Sequence, residues 1–322
     1  MDTQNYLNIE ECKKGLYSKF KDLKSKELLW YKNEALNVFQ CKDLPKINHD
    51  NFIGYIYPKS ISEMNKKAVQ SIYYKANAAI FLNIINDLLE ENFINLFNDK
   101  SSLNNDKDTL LIYNYYNLFY KLLFDSLILL DDYLQNIRKE KRVYGLGRRW
   151  NQSILSIYQS IRQMIYGQDS FHSFIEFEPD ISILLIRQLI ELKIRRGFGI
   201  LGLKGKTDNK FQKVNMGIIF EIIDEFKDKI DFSIPLSNLK IIYGWANIFV
   251  HSGFKVYHWQ PLFVLKYLKN FSIGKEPTNS SFNINSGITM PKEVFDEIQL
   301  KFQEKYPNDY IIKFEPAEAV LT

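Results

Sequence analysis

The chain has only four histidines, and one of them, His251, closes an aromatic run, "YGWANIFVHSGF", that reads as helix and stops at Ser252 and Gly253. Asn247 stands four residues earlier, so the two side chains share a helix face. An imidazole titrates near neutral pH and can move a proton, while a carboxamide beside it can orient the ring or hydrogen-bond a ligand. Two readings of His251 follow. In one it is a general acid–base group. In the other it is the last residue of a packed helix, satisfying terminal carbonyls, with Gly253 in the left-handed cap conformation and the helix dipole favouring the imidazolium.

A second line of polar residues lies in "DISILLIRQLIELKIRRGFGI", where Arg187, Glu191 and Arg195 recur every four residues. That spacing sets them along one helix face, and Glu191 can pair with either arginine. Leu184, Leu185, Leu189, Ile190 and Leu192 surround the line with apolar bulk, so unpaired burial of the charges is unfavourable. The line reads either as a structural ion-pair ladder or as a polar stripe along a cleft. In a cleft, a forked guanidinium suits a phosphate.

Other candidates are weaker. His258, seven residues past His251, is placed to approach the same region, but no Asp, Glu or Cys completes a metal pattern there. His49 and His172 stand in connectors without a supporting pattern. Cys12 and Cys41 make neither a disulfide scaffold nor a four-thiolate site, so no metal and no cofactor is expected.

Two basic clusters could neutralise phosphates. The segment "RKEKRVYGLGRRW" carries Arg138, Lys139, Lys141, Arg142, Arg148 and Arg149 with Tyr144 and Trp150 interleaved, a mixture able to stack bases and hold a backbone. Arg195, Arg196, Lys204, Lys206, Lys210 and Lys213 flank Gly197, Gly199, Gly202 and Gly205. This second cluster matches neither a Walker loop nor a dinucleotide fingerprint. From the two clusters, Arg142, Arg148, Arg149, Arg195 and Arg196 are taken as candidate nucleic-acid contacts. The bland alternative for both is a solvated charged face.

These groups need elements to position them. A content of 46% hydrophobic and 15% aromatic residues excludes general disorder and supports heavy packing without disulfides. A net charge of +4 over 322 residues is too small to identify a partner by itself. Residues 62–97 predict a long helix or a broken pair. The stretch from Leu110 predicts a helix packed on most sides, with Lys121 and Asp125 too costly for a bilayer centre. Further helices are expected at 150–166, from Asp180, at 213–230, after Pro235, as a short piece at 259–271, and after Pro291. The stretch "LGLKGKTDNK" reads as loop, and "DYIIKFEP" as a lone or edge strand. No membrane span or secretion leader is legible, so a cytoplasmic location is the default. The expected fold is all-α: residues 1–60 an N-terminal helical extension, 61–272 one large helical bundle, and 273–322 a small α/β appendage.

Taken together, "ISILLIRQLIELKIRR" and "LKIIYGWANIFVHSG" resemble the all-helical domains of the HEPN kind, over about residues 180–260. The resemblance implies a four- or five-helix bundle, often a homodimer, found in toxin, CRISPR and phage-defence systems. Many members are metal-independent RNases and others are inactive binding modules. Carried over, the catalytic histidine is His251 and its polar partner Asn247. The family's arginine, four to six residues before that histidine, has no counterpart in Gly244, Trp245, Ala246 or Asn247, and Lys240 is three turns away. A catalytic set therefore needs Arg187 from the neighbouring helix, held by Glu191. The competing readings are an inactive helical sensor or binding module for a protein or nucleic-acid partner, and a small-molecule enzyme with an aromatic-lined cavity.

Overall fold

The computed structural model describes residues 26–89, 106–145, 179–212, 214–254, 256–273 and 287–322, with Asp22 and Asn285. It is mainly helical, and the strands gather in small sheets toward the C-terminal part of the chain, as expected for an all-α fold with a minor α/β element. Contacts divide the chain into two compact units that alternate along it: 1–48, 62–181 and 253–263 form one, and 49–61, 182–252 and 264–322 form the other. Among the described residues no helix is long and apolar enough to cross a membrane.

The first unit contains helices α1 (Leu28–Val38), α3 (Ile61–Lys67, all but its first residue), α4 (Ser71–Asp87) and α5 (Asp106–Tyr133). The stretch expected as one helix or a broken pair is broken at 68–70; residues 90–97 lie outside the described residues. Helix α5 ends in a π-turn, Leu134–Arg138, closed by Lys139 in the left-handed conformation. Among its described side chains, Leu118, Phe119, Leu122 and every residue from Ile128 to Tyr133 are buried and Tyr120 and Phe124 are exposed, so it is packed on most sides, as expected. The aromatic core runs from Tyr31 to Phe81 (ring centroids 4.7 Å apart), then to Trp259 at 5.3 Å.

Asn77 is a wholly buried polar residue on α4. Its Oδ1 accepts from Trp259 Nε1 at 3.1 Å and Gln260 Nε2 at 3.0 Å, while its Nδ2 donates to the Tyr73 carbonyl. One carboxamide thus satisfies two buried donors. Asn77→Ala strands both, and we expect about 2–4 kcal/mol of destabilisation, read as a lower denaturant midpoint. A loss below about 0.5 kcal/mol would show that these donors find other partners.

The second unit contains α2 (His49–Ile56), α6 (Ser182–Gly197), α7 (Met216–Glu225), α8 (Leu236–Ser252), the last turn of α9 (Trp259–Tyr267), α10 (Lys269–Ile273) and α11 (Lys292–Lys305). Pro179 and Asp180 open a 3-10 turn leading into α6, and Pro235 immediately precedes α8, as their fixed φ favours. Helix α6 buries Ile183, Ile186, Ile190 and Ile194, and α8 buries Leu239, Ile242, Trp245, Ala246 and Phe249. Both stripes follow the helical period, and the two helices pack on each other.

The first half of the stretch expected as loop after α6 is instead strand β1 (Ile200–Gly205), while residues 206–210 turn as expected. It is the centre of a sheet ordered β2–β1–β5, with β2 at Phe211–Gln212 and β5 at Asp309–Lys313. β5 is therefore an edge strand with a partner rather than a lone one. Local glycines suggested a loop because β1's main partner lies about a hundred residues away, and only that pairing satisfies its backbone. A second small sheet joins β3 (Asp231–Phe232), β4 (Ile288–Met290) and β6 (Val320–Leu321).

Helix α2 is fastened to α8 through a partly buried network. Tyr267 Oη donates to Asp50 Oδ1 at 2.7 Å, and Asn238 Nδ2 donates to Tyr267 Oη at 2.8 Å. Burial, then the Asp50 carboxylate, pushes the Tyr267 phenol well above its usual range. The folded state thus holds this proton more tightly than the unfolded chain, whose tyrosines titrate near pH 10. Its contribution to stability is complete below about pH 10 and is lost as pH rises further. Tyr267→Phe should lower stability at pH 8 by about 1 kcal/mol and flatten the decline between pH 9 and pH 11 in denaturant titrations. An unchanged alkaline slope would place the titration elsewhere.

Candidate active site

The polar line of α6 lies beside its buried isoleucine stripe. Arg187 and Glu191 are a turn apart (Nη2 to Oε2, 3.7 Å), and Glu191 Oε1 is 3.5 Å from Arg195 Nη1. The glutamate therefore bridges both arginines, as the spacing predicts. All three side chains are partly accessible, Arg187 at 28%. Leu184 and Leu185 are exposed, so the line borders solvent rather than crossing the core.

On α8, Tyr243, Asn247 and His251 recur every four residues and border that helix's buried stripe in the same way. Packing of α6 on α8 brings the two lines together. Arg187 Nε donates to Asn247 Oδ1 at 2.6 Å, and the Arg187 guanidinium lies 5.6 Å from the Tyr243 ring centroid. Burial pushes the Tyr243 phenol up, partly offset by Arg187, so its hydroxyl stays a donor at neutral pH. His251 is exposed at the end of α8, and Gly253 adopts φ +63°, the left-handed cap expected for it. Among the described residues its imidazole has no hydrogen-bonding or ion-pairing partner.

The positions before His251 show why α8 carries no arginine of its own. A side chain at Gly244 would meet the Lys59 backbone at 3.2 Å. Trp245 is buried in an edge-to-face contact with Tyr57, and Ala246 is fully buried. Only Asn247 reaches the polar line, and it is filled by the group that receives Arg187. Lys240 turns to Asp224 on α7.

No family model, curated protein or solved structure matches this chain.

The remaining candidates separate. His258 belongs to the first unit, where one carboxylate oxygen of Asp125 accepts both its backbone N–H at 2.9 Å and its Nδ1 at 2.7 Å. This is a cap at the start of α9. Arg142 Nε donates to Gln135 at 2.9 Å and Nη2 lies 3.6 Å from Asp132. Its segment is pinned by Asp131, whose Oδ1 accepts the backbone N–H groups of Val143 and Tyr144. Arg142, expected as a nucleic-acid contact, is thus committed within its own unit. Arg148 and Arg149, like the helix expected at 150–166, lie outside the described residues. Arg195 donates to the Leu201 carbonyl of β1, and Arg196 pairs with Glu318 at 3.3 Å and lies over Phe314. Both arginines of that cluster are held by the fold, while its lysines lie further on.

Among the described residues no group of three His, Cys, Asp or Glu side chains could hold a metal ion. Lys193 is buried on α6, where burial lowers its affinity for a proton and Glu318 acts in the opposite direction. It lies on the buried side of the helix, away from the polar line. Tyr243 is the site residue that sequence reasoning passed over; its place four residues before Asn247 was the available signal.

Proposed function

We propose that the second unit is a metal-independent ribonuclease, with His251 as general acid–base group and Arg187 on the phosphate. The observation that carries this reading is the 2.6 Å contact between Arg187 and Asn247. It puts a cation on the face that ends in an exposed histidine, where α8 has no arginine of its own. A guanidinium has five N–H donors, more than Arg187 uses on Asn247, Glu191 and Tyr243.

In the reaction the ribose 2′ oxygen attacks phosphorus while the bond to the 5′ oxygen breaks. The products are a 2′,3′-cyclic phosphate and a 5′ hydroxyl. His251 moves the proton at one of the two oxygens, removing it from the 2′ hydroxyl or delivering it to the 5′ oxygen, and solvent serves the other. Arg187 and the neutral Tyr243 hydroxyl donate to the non-bridging oxygens as charge builds there. Asn247 and Glu191 hold the guanidinium in place.

Purified chain should cleave single-stranded RNA in excess EDTA and leave 2′,3′-cyclic phosphate ends. Ends that carry a 5′ phosphate would rule out this route, and cleavage abolished by EDTA would require a metal. The competing reading, a catalytically inactive binding module, is favoured by the Glu191 bridge, which ties both arginines. It predicts no cleavage of any RNA.

A further inference from the structure

We infer that the outer face of the β2–β1–β5 sheet is a stacking platform for single-stranded nucleic acid. The inference deepens the ribonuclease reading by naming where the substrate is gripped, and it rests on that reading for its relevance to catalysis. The strand register sets the platform. Lys204 of β1 lies opposite Phe211 of β2 on one side and Tyr310 of β5 on the other. Residues directly opposite each other across strands share a face, so one row reads Phe211, Lys204, Tyr310. The neighbouring residue Leu203 points the other way and is fully buried.

Both aromatics stand in solvent, Phe211 at 79% and Tyr310 at 59% exposure. At a strand spacing of about 4.8 Å they flank Lys204 across roughly 10 Å. Lys206 lies 5.3 Å from the Tyr310 ring centroid and is steadied by the Pro307 carbonyl at 2.6 Å. Further along the row's face, Gly202 pairs with Ile312 and is buried, so on β1 the exposed row does not extend past Lys204.

Charge selects the occupant. Lys204 and Lys206 lie at the row and Lys210 in the hairpin, against Asp208, while Lys313 and Asp309 alternate to the opposite face of β5. One of those acids is already engaged, since Asp208 Oδ1 accepts the Lys210 backbone N–H at 3.0 Å. Exposed rings interleaved with lysines match bases and a phosphate backbone, because every base has a face to stack and every linkage a charge to neutralise. A paired duplex hides its base faces and gains nothing from the rings. The platform also connects to the candidate active site: Arg195, about 12 Å along α6 from Arg187, donates to the Leu201 carbonyl of β1.

The test is anisotropy titration of the full chain with a labelled 2′-O-methyl oligonucleotide, which lacks the attacking hydroxyl, its single-stranded DNA counterpart and a double-stranded RNA. Single strands of both sugars should bind, and the duplex should bind at least ~10-fold more weakly. The Phe211→Ala/Tyr310→Ala pair should weaken single-strand binding by about 10- to 100-fold. The Phe211→Trp/Tyr310→Trp pair should retain it. Lys204→Ala with Lys206→Ala should lower the slope of log affinity against log salt by about 0.7 for each phosphate that is no longer neutralised. Single-strand affinity unchanged in the alanine pair, equal affinity for the duplex, or no binding by the unaltered chain would each overturn the platform. Platform-dependent binding without RNA cleavage would uphold this inference while removing the ribonuclease reading. Cleavage that persists with an indifferent platform would do the reverse.

Discussion

Replacing His251 with alanine should reduce RNA cleavage by about 10²- to 10⁴-fold, the range over which a positioned general acid or base accelerates proton transfer. The same change should barely affect stability. His251 is exposed at the end of α8, and among the described residues its ring holds nothing in place. Loss of its interaction with the helix terminus is worth at most about 1 kcal/mol. Cleavage assays and thermal melts on the same preparations check both halves. A variant that cleaves as fast as the parent would return His251 to the role of helix cap. A variant that loses activity only because its melting temperature collapses would point the same way.

The second large effect is expected at Arg187. Arg187→Ala should cost about 10²- to 10³-fold in rate, as removal of a preorganised donor to a developing anion does elsewhere. Arg187→Lys should recover little of it. Lysine keeps the charge but has no Nε–H to donate to Asn247 Oδ1, and its compact ammonium lacks the planar fork that suits a phosphate. Stability should fall only modestly in either variant, because the Glu191 ion pair is partly exposed and long. The informative comparison is rate against stability. Rates within about threefold of the parent in Arg187→Lys would show that charge alone, or the ladder alone, is what the arginine supplies. Loss of rate with unchanged oligonucleotide affinity would place Arg187 on the transition state rather than on substrate binding.

Much of this arrangement was legible before any fold was known. The four-residue recurrences of Arg187, Glu191 and Arg195, and of Asn247 and His251, are local facts, since helical geometry converts spacing directly into a shared face. The glutamate bridge, the cap at Gly253 and the helix starts after Pro179 and Pro235 followed from the same local rules. What misled was equally local. The glycines after α6 suggested loop, and nothing in the spacing of Arg142, Arg195 and Arg196 marked the partners that each has within the fold. A strand forms when a distant segment completes its backbone hydrogen bonds, and Arg196 is committed by Glu318, more than a hundred residues on. Neither partner is marked by nearby sequence.

By itself, then, the sequence determined helices, their polar faces and the residue types able to move a proton or hold a phosphate. Tertiary structure alone decided which faces meet. It brought Arg187 of one helix to Asn247 of another and fixed Asp125 on His258. It also turned a glycine-rich stretch into the central strand between Phe211 and Tyr310. The physical reason is range: helix periodicity and capping act within a turn or two, whereas side-chain pairing and sheet register depend on apolar stripes closing on one another across the chain.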